Sequence, residues 1–247
     1  MRNLKLKIEY DGANYCGWQV QNIGSNKKSI QETIEKTLRN ILRADVKLIV
    51  AGRTDAGVHA QAQVANFNTR SQITLARLQK ALNGNLPSDI TIPSIEEKKL
   101  DFHSRFHAKS KVYIYTILNR SYPSALLRNK VYFCSYPLDI KLMCKEAKCL
   151  IGKHDFKCFC ASGSSAKNTI RTIKRFCIKE NGSLIAIEIE ANGFLYNMVR
   201  SIVGTLVEIG RGRFKQGHLK KMLLSNNRKL VGMTVPACGL CLMKVKY

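Results

Sequence analysis

Asp55 is the residue whose type and setting most suggest chemistry. It lies in A-G-R-T-D-A-G-V-H-A, residues 51–60, between Gly52 and Gly57. Because glycine tolerates backbone conformations that other residues hinder, the stretch predicts a tight loop that projects a short acidic side chain. A lone acid does not make a divalent-cation site, and the stretch lacks the Lys of a phosphate-binding loop. From the loop alone, a turn Asp that bonds to its own backbone remains open beside a reactive carboxylate.

Nine cysteines raise the question of a metal or of disulfides. An odd count without an export signal favours reduced thiols in a reducing compartment. Cys238 and Cys241 have the spacing of zinc ligands, but they lie in the apolar segment A-C-G-L-C-L-M-K-V-K-Y. No pair of histidines completes a tetrahedral set, so the sequence predicts no structural metal.

The charge of the chain indicates its partner. There are 41 Lys and Arg against 17 Asp and Glu, a formal net charge of +24. Acids are missing from three long stretches, Phe102 to Leu138, Phe156 to Lys179 and Ile209 to Tyr247. A solvated basic face is one interpretation, but three such stretches favour a nucleic acid as the partner. We expect an RNA-binding patch in the last of them, formed by Arg211, Arg213, Lys215, Lys220 and Lys221.

Membrane and export functions are disfavoured. No apolar run approaches the roughly 20 residues that a spanning helix needs. The N-terminal stretch M-R-N-L-K-L-K-I-E-Y-D-G lacks the uninterrupted apolar region of a signal peptide. We therefore expect no membrane partner and a cytoplasmic location.

The hydrophobic pattern of the first half alternates between strands and helices. Ser29 and Glu32 form a capping box at the start of a helix whose apolar stripe continues to Leu42. A further helix is predicted near Ile73–Leu82. Strands are predicted over Lys5–Glu9, Asp45–Val50, His59–Asn68 and Ile90–Leu100. The second and third of these strands flank the Asp55 loop and would position it.

The second half repeats this mixture. Tyr113 and Tyr115 share one face of a strand over Val112–Leu118, and Asn181-Gly182 is a strong hairpin signal. Helices are predicted over Leu138–Ile151, along an apolar stripe from Leu195 to Leu206, and over His218–Leu224, before a final strand. Hairpins mixed with helices predict an α+β fold of two similar α/β halves, residues 1–105 and 106–247, with largely antiparallel sheets joined into one continuous sheet.

Several motifs together resemble the tRNA pseudouridine synthase A family, over nearly the whole chain. The Asp55 loop is similar to the family signature, and so is N-G-F-L-Y-N-M-V-R-S-I-V-G-T-L at 192–206. Further matches are Y-D-G-A-N-Y-C-G-W-Q at 10–19, A-L-N-G-N-L-P-S-D-I at 81–90, F-H-S-R-F-H-A-K-S-K-V-Y-I-Y at 102–115, H-D-F-K-C-F-C-A-S-G at 154–163 and V-G-M-T-V-P-A-C-G-L-C-L at the end.

The resemblance implies a pseudouridine synthase-like fold and a concrete reaction. Members of the family convert uridine to pseudouridine on the 3′ side of the tRNA anticodon stem-loop, without a cofactor. Asp55 matches the catalytic Asp, acting either as nucleophile at C1′ or as the base that removes the 2′ proton. Family members are homodimers whose subunits share one tRNA, so the resemblance also implies a homodimer.

The resemblance assigns roles to further residues. Arg200 matches the Arg that pairs with the catalytic Asp, Tyr113 the Tyr that stacks on the uracil, and Leu240 an apolar residue lining the pocket. Arg53 is expected either to act as a wedge in the RNA or to contact a phosphate. For Trp18 two roles remain open, an RNA contact and a packed structural anchor. Two alternatives to this function are a non-catalytic RNA-binding module and the same isomerase chemistry on another structured RNA.

Overall fold

A computed structural model describes residues 1–19, 28–161 and 168–247. The chain divides into two compact units, one formed by Met1–Lys109 with Leu242–Tyr247 and the other by Ser110–Cys241. The end of the motif at 154–163 extends into 162–167 and lies there outside the described residues.

The described elements follow each other along the chain as ten strands and five α-helices. The strands are β1 Arg2–Tyr10, β2 Ile49–Val50, β3 His59–Thr69, β4 Ile90–Lys98, β5 Ser110–Asn119, β6 Tyr132–Cys134, β7 Gly152–Asp155, β8 Ile170–Asn181, β9 Leu184–Ala191 and β10 Leu240–Lys246. The helices are α1 Ile30–Leu42, α2 Leu75–Asn85, α3 Ile140–Ala147, α4 Met198–Gly210 and α5 His218–Ser225.

The first unit is built on a sheet with the strand order β4-β1-β3-β10. β1 pairs antiparallel with β3 and β4, and the short β2 pairs antiparallel with β3. α1 begins as the capping box predicts, since the Ser29 hydroxyl accepts a hydrogen bond from the Glu32 amide at 3.1 Å. The inner face of α1 buries Ile30, Ile34 and Leu38, because apolar residues at this spacing fall on one side of a helix.

In the second unit the strands follow the order β5-β9-β8-β7. These strands pair antiparallel, and β6 adds to β5 as a parallel strand. The predicted hairpin at Asn181-Gly182 is confirmed: β8 ends at Asn181, β9 begins at Leu184, and Gly182 has a φ of +57°. The prediction of an α+β fold with largely antiparallel sheets is likewise confirmed.

Two predicted elements are shorter in the structure. The strand expected over Asp45–Val50 is confined to β2, because the Leu48 amide donates to the Glu35 carboxylate of α1 at 2.8 Å instead of to a strand. The helix expected over Leu138–Ile151 spans only α3 and then tightens into a 3-10 turn, Lys148–Leu150. The two short strands β6 and β7 were not predicted. No helix within 1–19, 28–161 and 168–247 is long and apolar enough to cross a membrane.

Candidate active site

The Asp55 loop connects β2 to β3 in the first unit, and the backbone around it is held from several sides. The Ala51 amide donates to the Val64 carbonyl at 2.8 Å, and the Gln63 side-chain amide donates to the Gly52 carbonyl at 2.8 Å. On the other side, the buried Thr54 hydroxyl is 2.8 Å from the Tyr10 hydroxyl. Asp55 itself is half-buried, and Arg53 is exposed to solvent.

A backbone hydrogen bond closes the turn that carries Asp55. The Val58 amide donates to the Asp55 carbonyl oxygen at 3.2 Å, and Gly57 has a φ of +78°. A positive φ at the third residue is the mark of a type II turn, which favours glycine at this position. A main-chain hydrogen bond therefore closes the turn and fixes the backbone that carries Asp55.

Two glycines from the N-terminal motif pack closely against the backbone of the Asp55 loop, a role that was not predicted for them. A Cβ on Gly17, whose φ is +106°, would lie 2.7 Å from the Thr54 carbonyl oxygen. A Cβ on Gly12 would lie 2.0 Å from the Val58 carbonyl oxygen. Both distances are shorter than any ordinary contact, so only glycine lets these two segments reach the loop.

Trp18 and His59 are structural neighbours of the loop. Trp18 is fully buried, and its amide donates to the Thr54 carbonyl oxygen at 3.0 Å, which identifies it as a packed anchor. His59 is also buried, and its Nδ1 accepts from the Gly12 amide at 3.1 Å. This bond ties the start of β3 to the end of β1 and so stabilises the loop between them.

In the second unit, β5 places Tyr113 and Tyr115 on one face, as predicted, but in different settings. Tyr115 is fully buried, and its hydroxyl donates to the Pro236 carbonyl oxygen at 2.7 Å. Tyr113 is 7% exposed and meets the Phe194 ring edge-on at a centroid distance of 5.0 Å. Tyr115 is thus a core residue whose hydroxyl is hydrogen-bonded to the backbone, whereas an aromatic neighbour orients the Tyr113 ring.

Arg200 is the one residue of α4 that is not buried. Its Nε donates to the Val235 carbonyl oxygen at 2.8 Å, and one terminal nitrogen donates to the Asn197 side-chain oxygen at 2.9 Å. Two donors in a fixed fork set the plane of a guanidinium group. A cation of defined orientation therefore stands on a helix that is otherwise inside the core.

The segment that orients Arg200 approaches α4 at two glycines. A Cβ on Gly204 would lie 1.7 Å from the Met233 carbonyl oxygen, and one on Gly232 would lie 2.9 Å from the Thr205 Cα. The Gly232 amide also donates to the Thr205 hydroxyl at 3.1 Å. The motifs M-V-R-S-I-V-G-T and V-G-M-T-V are thus two sides of one contact within the second unit.

Leu240 follows a third close contact in the same unit. A Cβ on Gly239 would lie 2.7 Å from the Tyr115 ring, which leaves room for glycine alone. Leu240 is the first residue of β10 and is buried.

The cysteines with zinc-ligand spacing lie in the same segment. Burial raises the pKa of the Cys238 thiol, and this disfavours the thiolate that a metal would need. Within the described ranges, no three His, Cys, Asp or Glu side chains come together in a way that could hold a metal ion.

Two arginines of the predicted basic patch pair with a buried acid. The Glu208 carboxylate, only 7% exposed, accepts from Arg211 and from Arg213, each at 3.1 Å. This acid neutralises part of the charge of both arginines, but the Arg211 side chain is only 12% exposed, whereas that of Arg213 is 62% exposed. Lys220 and Lys221 are exposed on α5 and line a shallow depression in the surface.

Comparisons with known proteins give the family. The family model described as "tRNA pseudouridine synthase" matches residues 7–107 and 147–247. The "tRNA pseudouridine synthase A 2" of Clostridium perfringens is 47% identical over 247 residues, covering 100% of both chains. The "tRNA pseudouridine synthase A" of Acetivibrio thermocellus is 48% identical over 247 residues, again covering 100% of both chains. With its Asp55 loop intact and matches that run along most of its length, the chain belongs to the tRNA pseudouridine synthase family.

Proposed function

We propose that this protein isomerises uridine to pseudouridine in the anticodon stem-loop of tRNA, with Asp55 as the catalytic carboxylate. The observation that carries the proposal is the construction of the Asp55 turn. The Val58 amide closes the turn, and Gly12 and Gly17 support it from below. These main-chain contacts hold the backbone of the turn in one place, so the Asp55 side chain is presented from a fixed position, as a catalytic group requires.

Arg200 is proposed as the partner of Asp55. Its guanidinium plane is fixed by Val235 and Asn197, and a fixed cation needs no reorganisation when charge develops in a reaction. A cation beside a carboxylate favours its ionised form, which is the form that the proposed reaction needs from Asp55.

Three further residues are proposed to bind the substrate. Tyr113 would stack on the uracil, and its edge-on contact with Phe194 supports this by holding the ring in one orientation. Leu240, buried at the start of β10, would line the apolar side of the pocket. Arg53, exposed beside the acidic residue, would contact a phosphate or fill the space that the extracted base leaves. Extraction of a base from its stack costs a few kcal/mol, which contacts of this kind must offset.

The proposed reaction is balanced without a cofactor or a metal. The bond from C1′ to N1 breaks, the uracil turns, and C5 forms a new bond to C1′. C5 loses its proton and N1 ends with one, so the product is an isomer of the substrate. Asp55 would act either by attack on C1′ or by removal of the 2′ proton, and a carboxylate is capable of both.

The partner is proposed to be tRNA, bound by a cytoplasmic homodimer. The net charge of +24 supports a polyanionic partner. Sedimentation at micromolar concentration tests the oligomeric state, and the mass of a single subunit would rule out the dimer.

The test of the function is Asp55→Asn. This change keeps the size of the side chain and removes its charge, so it disables a nucleophile and a base alike. We expect a folded variant that binds tRNA about as well as the parent and forms no pseudouridine in a single turnover. Binding and pseudouridine yield are measured in parallel on the same tRNA transcript.

Asp45→Asn is the matched control, because Asp45 is an exposed carboxylate that pairs with Arg39 in the same unit. It should keep full activity. Substantial product from Asp55→Asn would remove the catalytic assignment. No product from the parent on any tRNA would instead favour a non-catalytic RNA-binding module.

A further inference from the structure

Phe106 is an aromatic residue displayed on the surface of the first unit. It is 74% exposed and lies in a turn between β4 and β5, away from the Asp55 loop in the sequence. Burial of a phenylalanine side chain stabilises a folded protein, so a phenylalanine left in solvent forgoes that stabilisation. An exposed aromatic ring on a mobile loop would mean little, so the rigidity of the turn decides its significance.

The turn is preorganised by hydrogen bonds between its own residues. The His103 Nδ1 accepts from the Arg105 amide at 3.2 Å and from the Phe106 amide at 3.3 Å. The His107 amide donates back to the His103 carbonyl oxygen at 3.0 Å. Two amides that point at one imidazole nitrogen fix the backbone of the residues that carry the exposed side chains.

Buried polar side chains fasten this turn to the core of the unit. The Asn66 side chain accepts from the Ser104 amide at 2.9 Å and donates to the buried Asn3 at 2.9 Å. Asn3 in turn donates to the Phe102 carbonyl oxygen at 2.9 Å, and the Tyr247 hydroxyl donates to the Ser104 carbonyl oxygen at 2.9 Å. Buried side-chain amides are stable in a core when they find partners, and the partners of Asn3 and Asn66 include the backbone of the turn.

The side chains around Phe106 form a stacking surface with a positive edge. The His103 ring lies 4.2 Å from the Phe106 ring, at an angle of 30°, and the Arg105 guanidinium lies over the same ring at 5.8 Å. With about three quarters of Phe106 still exposed, most of the ring is available to a further planar group. No acid occurs in the sequence from Phe102 to Leu138, so the edge of this surface suits a phosphate.

We propose that Phe106, with His103 and Arg105, is a stacking platform for an unpaired nucleobase of the RNA substrate, and that Arg105 binds an adjacent phosphate. The inference rests on the proposed function, since it assigns to this turn part of the RNA contact. Stacking on an aromatic side chain suits any base, because every base has a π-face. The platform would add affinity without choosing the sequence.

The first test compares three substitutions at Phe106, with a labelled tRNA transcript as the probe. Phe106→Ala should raise the Kd roughly 5- to 100-fold, the range that loss of one base–aromatic stack produces. Phe106→Leu, which stays apolar but has no ring, should behave like Phe106→Ala, whereas Phe106→Tyr should bind like the parent. The single-turnover rate at saturating enzyme should be unchanged in all three, because the platform does not touch the reacting atoms.

The second test detects the contact directly. Trp18, the sole tryptophan, is fully buried, so Phe106→Trp adds one exposed fluorophore to a constant background. Its emission should be quenched when the tRNA transcript binds. The Kd obtained from the quenching curve should equal the Kd measured with the labelled transcript.

These outcomes separate the platform from the proposed function. If the parent makes pseudouridine but Phe106→Ala binds tRNA equally well and Phe106→Trp is not quenched, the platform is wrong and the function stands. If the parent makes none, the function fails, while the binding and quenching measurements still decide the platform. If Phe106→Ala changes only the sedimentation mass, the ring docks a second copy of this chain, and that result also overturns the platform.

Discussion

Arg200 and Val235 are joined by two hydrogen bonds in opposite directions. The Arg200 Nε donates to the Val235 carbonyl oxygen at 2.8 Å, and the Val235 amide donates to the Arg200 carbonyl oxygen at 3.4 Å. A side chain that leaves the buried helix α4 is therefore aimed by a segment more than thirty residues away in the sequence.

Arg200→Lys tests whether this aim matters for the reaction. Lysine keeps the positive charge but lacks the planar fork that bonds Val235 and Asn197 together. We expect the single-turnover rate to fall by about 100-fold or more, as for other lost electrostatic stabilisers, with tRNA affinity within about threefold of the parent. An equal fall for Arg213→Lys, a change outside the proposed centre, would show that the loss is not specific to Arg200.

Gly204→Ala tests the contact that brings the segment around Val235 to α4. The new Cβ would lie 1.7 Å from the Met233 carbonyl oxygen, so the free energy of unfolding should fall by about 1–3 kcal/mol. Gly84→Ala in α2 is the matched control, because nothing lies within 4 Å of its added Cβ. Thermal unfolding should show Gly84→Ala to be as stable as the parent or more stable by up to about 1 kcal/mol. Equal stability of the two variants would contradict the contact.

Gly17→Ala, compared with Gly212→Ala, distinguishes the effect of backbone strain at a positive φ from the effect of displacing the Asp55 loop. Gly17 and Gly212 both have positive φ, of +106° and +76°, but only at Gly17 does an added Cβ meet another segment, 2.7 Å from the Thr54 carbonyl oxygen. A displaced Asp55 loop should cost about 100-fold in turnover, whereas Gly212→Ala should lose stability and keep its rate. The single-turnover rate of each variant is compared with its melting temperature. If the two rates fall together, the close contact of Gly17 with the loop does not govern the reaction.

Tyr113 and Tyr115 should respond in opposite ways to substitution. Tyr113→Leu removes a ring proposed to stack on uracil and should reduce turnover, while Tyr113→Phe keeps the ring and most of the rate. Tyr115→Phe removes the hydrogen bond to Pro236 and should lower the free energy of unfolding by about 1 kcal/mol, with turnover unchanged. Rates and denaturant midpoints are measured for all three. A turnover defect in Tyr115→Phe with a normal Tyr113→Leu would exchange the two assignments.

The salt dependence of tRNA binding tests which residues of the predicted basic patch contact phosphate. If Lys220 and Lys221 each contact a phosphate, removing both should reduce the slope of log K against log salt by about 2. Removing Arg211 and Arg213 should change the slope less and should lower stability, because the buried Glu208 would then lack its partners. The reverse pattern would return the RNA path to the two arginines.

Local signals in the sequence predicted the elements that local bonds define. The Ser29 capping box marked the start of α1, and Asn181-Gly182 marked the hairpin of β8 and β9, because each signal acts over three or four residues. β6 and β7 escaped prediction, since strands of three or four residues exist only through the partner that they pair with. β2 is likewise limited by its surroundings: the Leu48 amide, just before the strand, donates to the Glu35 carboxylate of α1 and not to a neighbouring strand.

The candidate site divides in the same way. Its reactive residues could be recognised because their motifs are contiguous. The glycines that support them, Gly12, Gly17 and Gly204, could not be identified. Each is required by a close contact with a residue between 29 and 46 positions away along the chain. The pairing of Arg211 and Arg213 with Glu208 was missed because Glu208 lies just before the acid-free stretch.

The discontinuity of the first unit has a consequence for the order in which the protein matures. The part of β10 that belongs to it, from Leu242 onward, and the Tyr247 hydroxyl that holds the Phe106 turn are synthesised after the whole of the second unit. During translation the second unit can therefore complete its own contacts first, while the first unit is completed only when residues 242–247 have been synthesised. On a nascent chain, a protease should cut the exposed 99–109 segment until those residues are available and spare it afterwards.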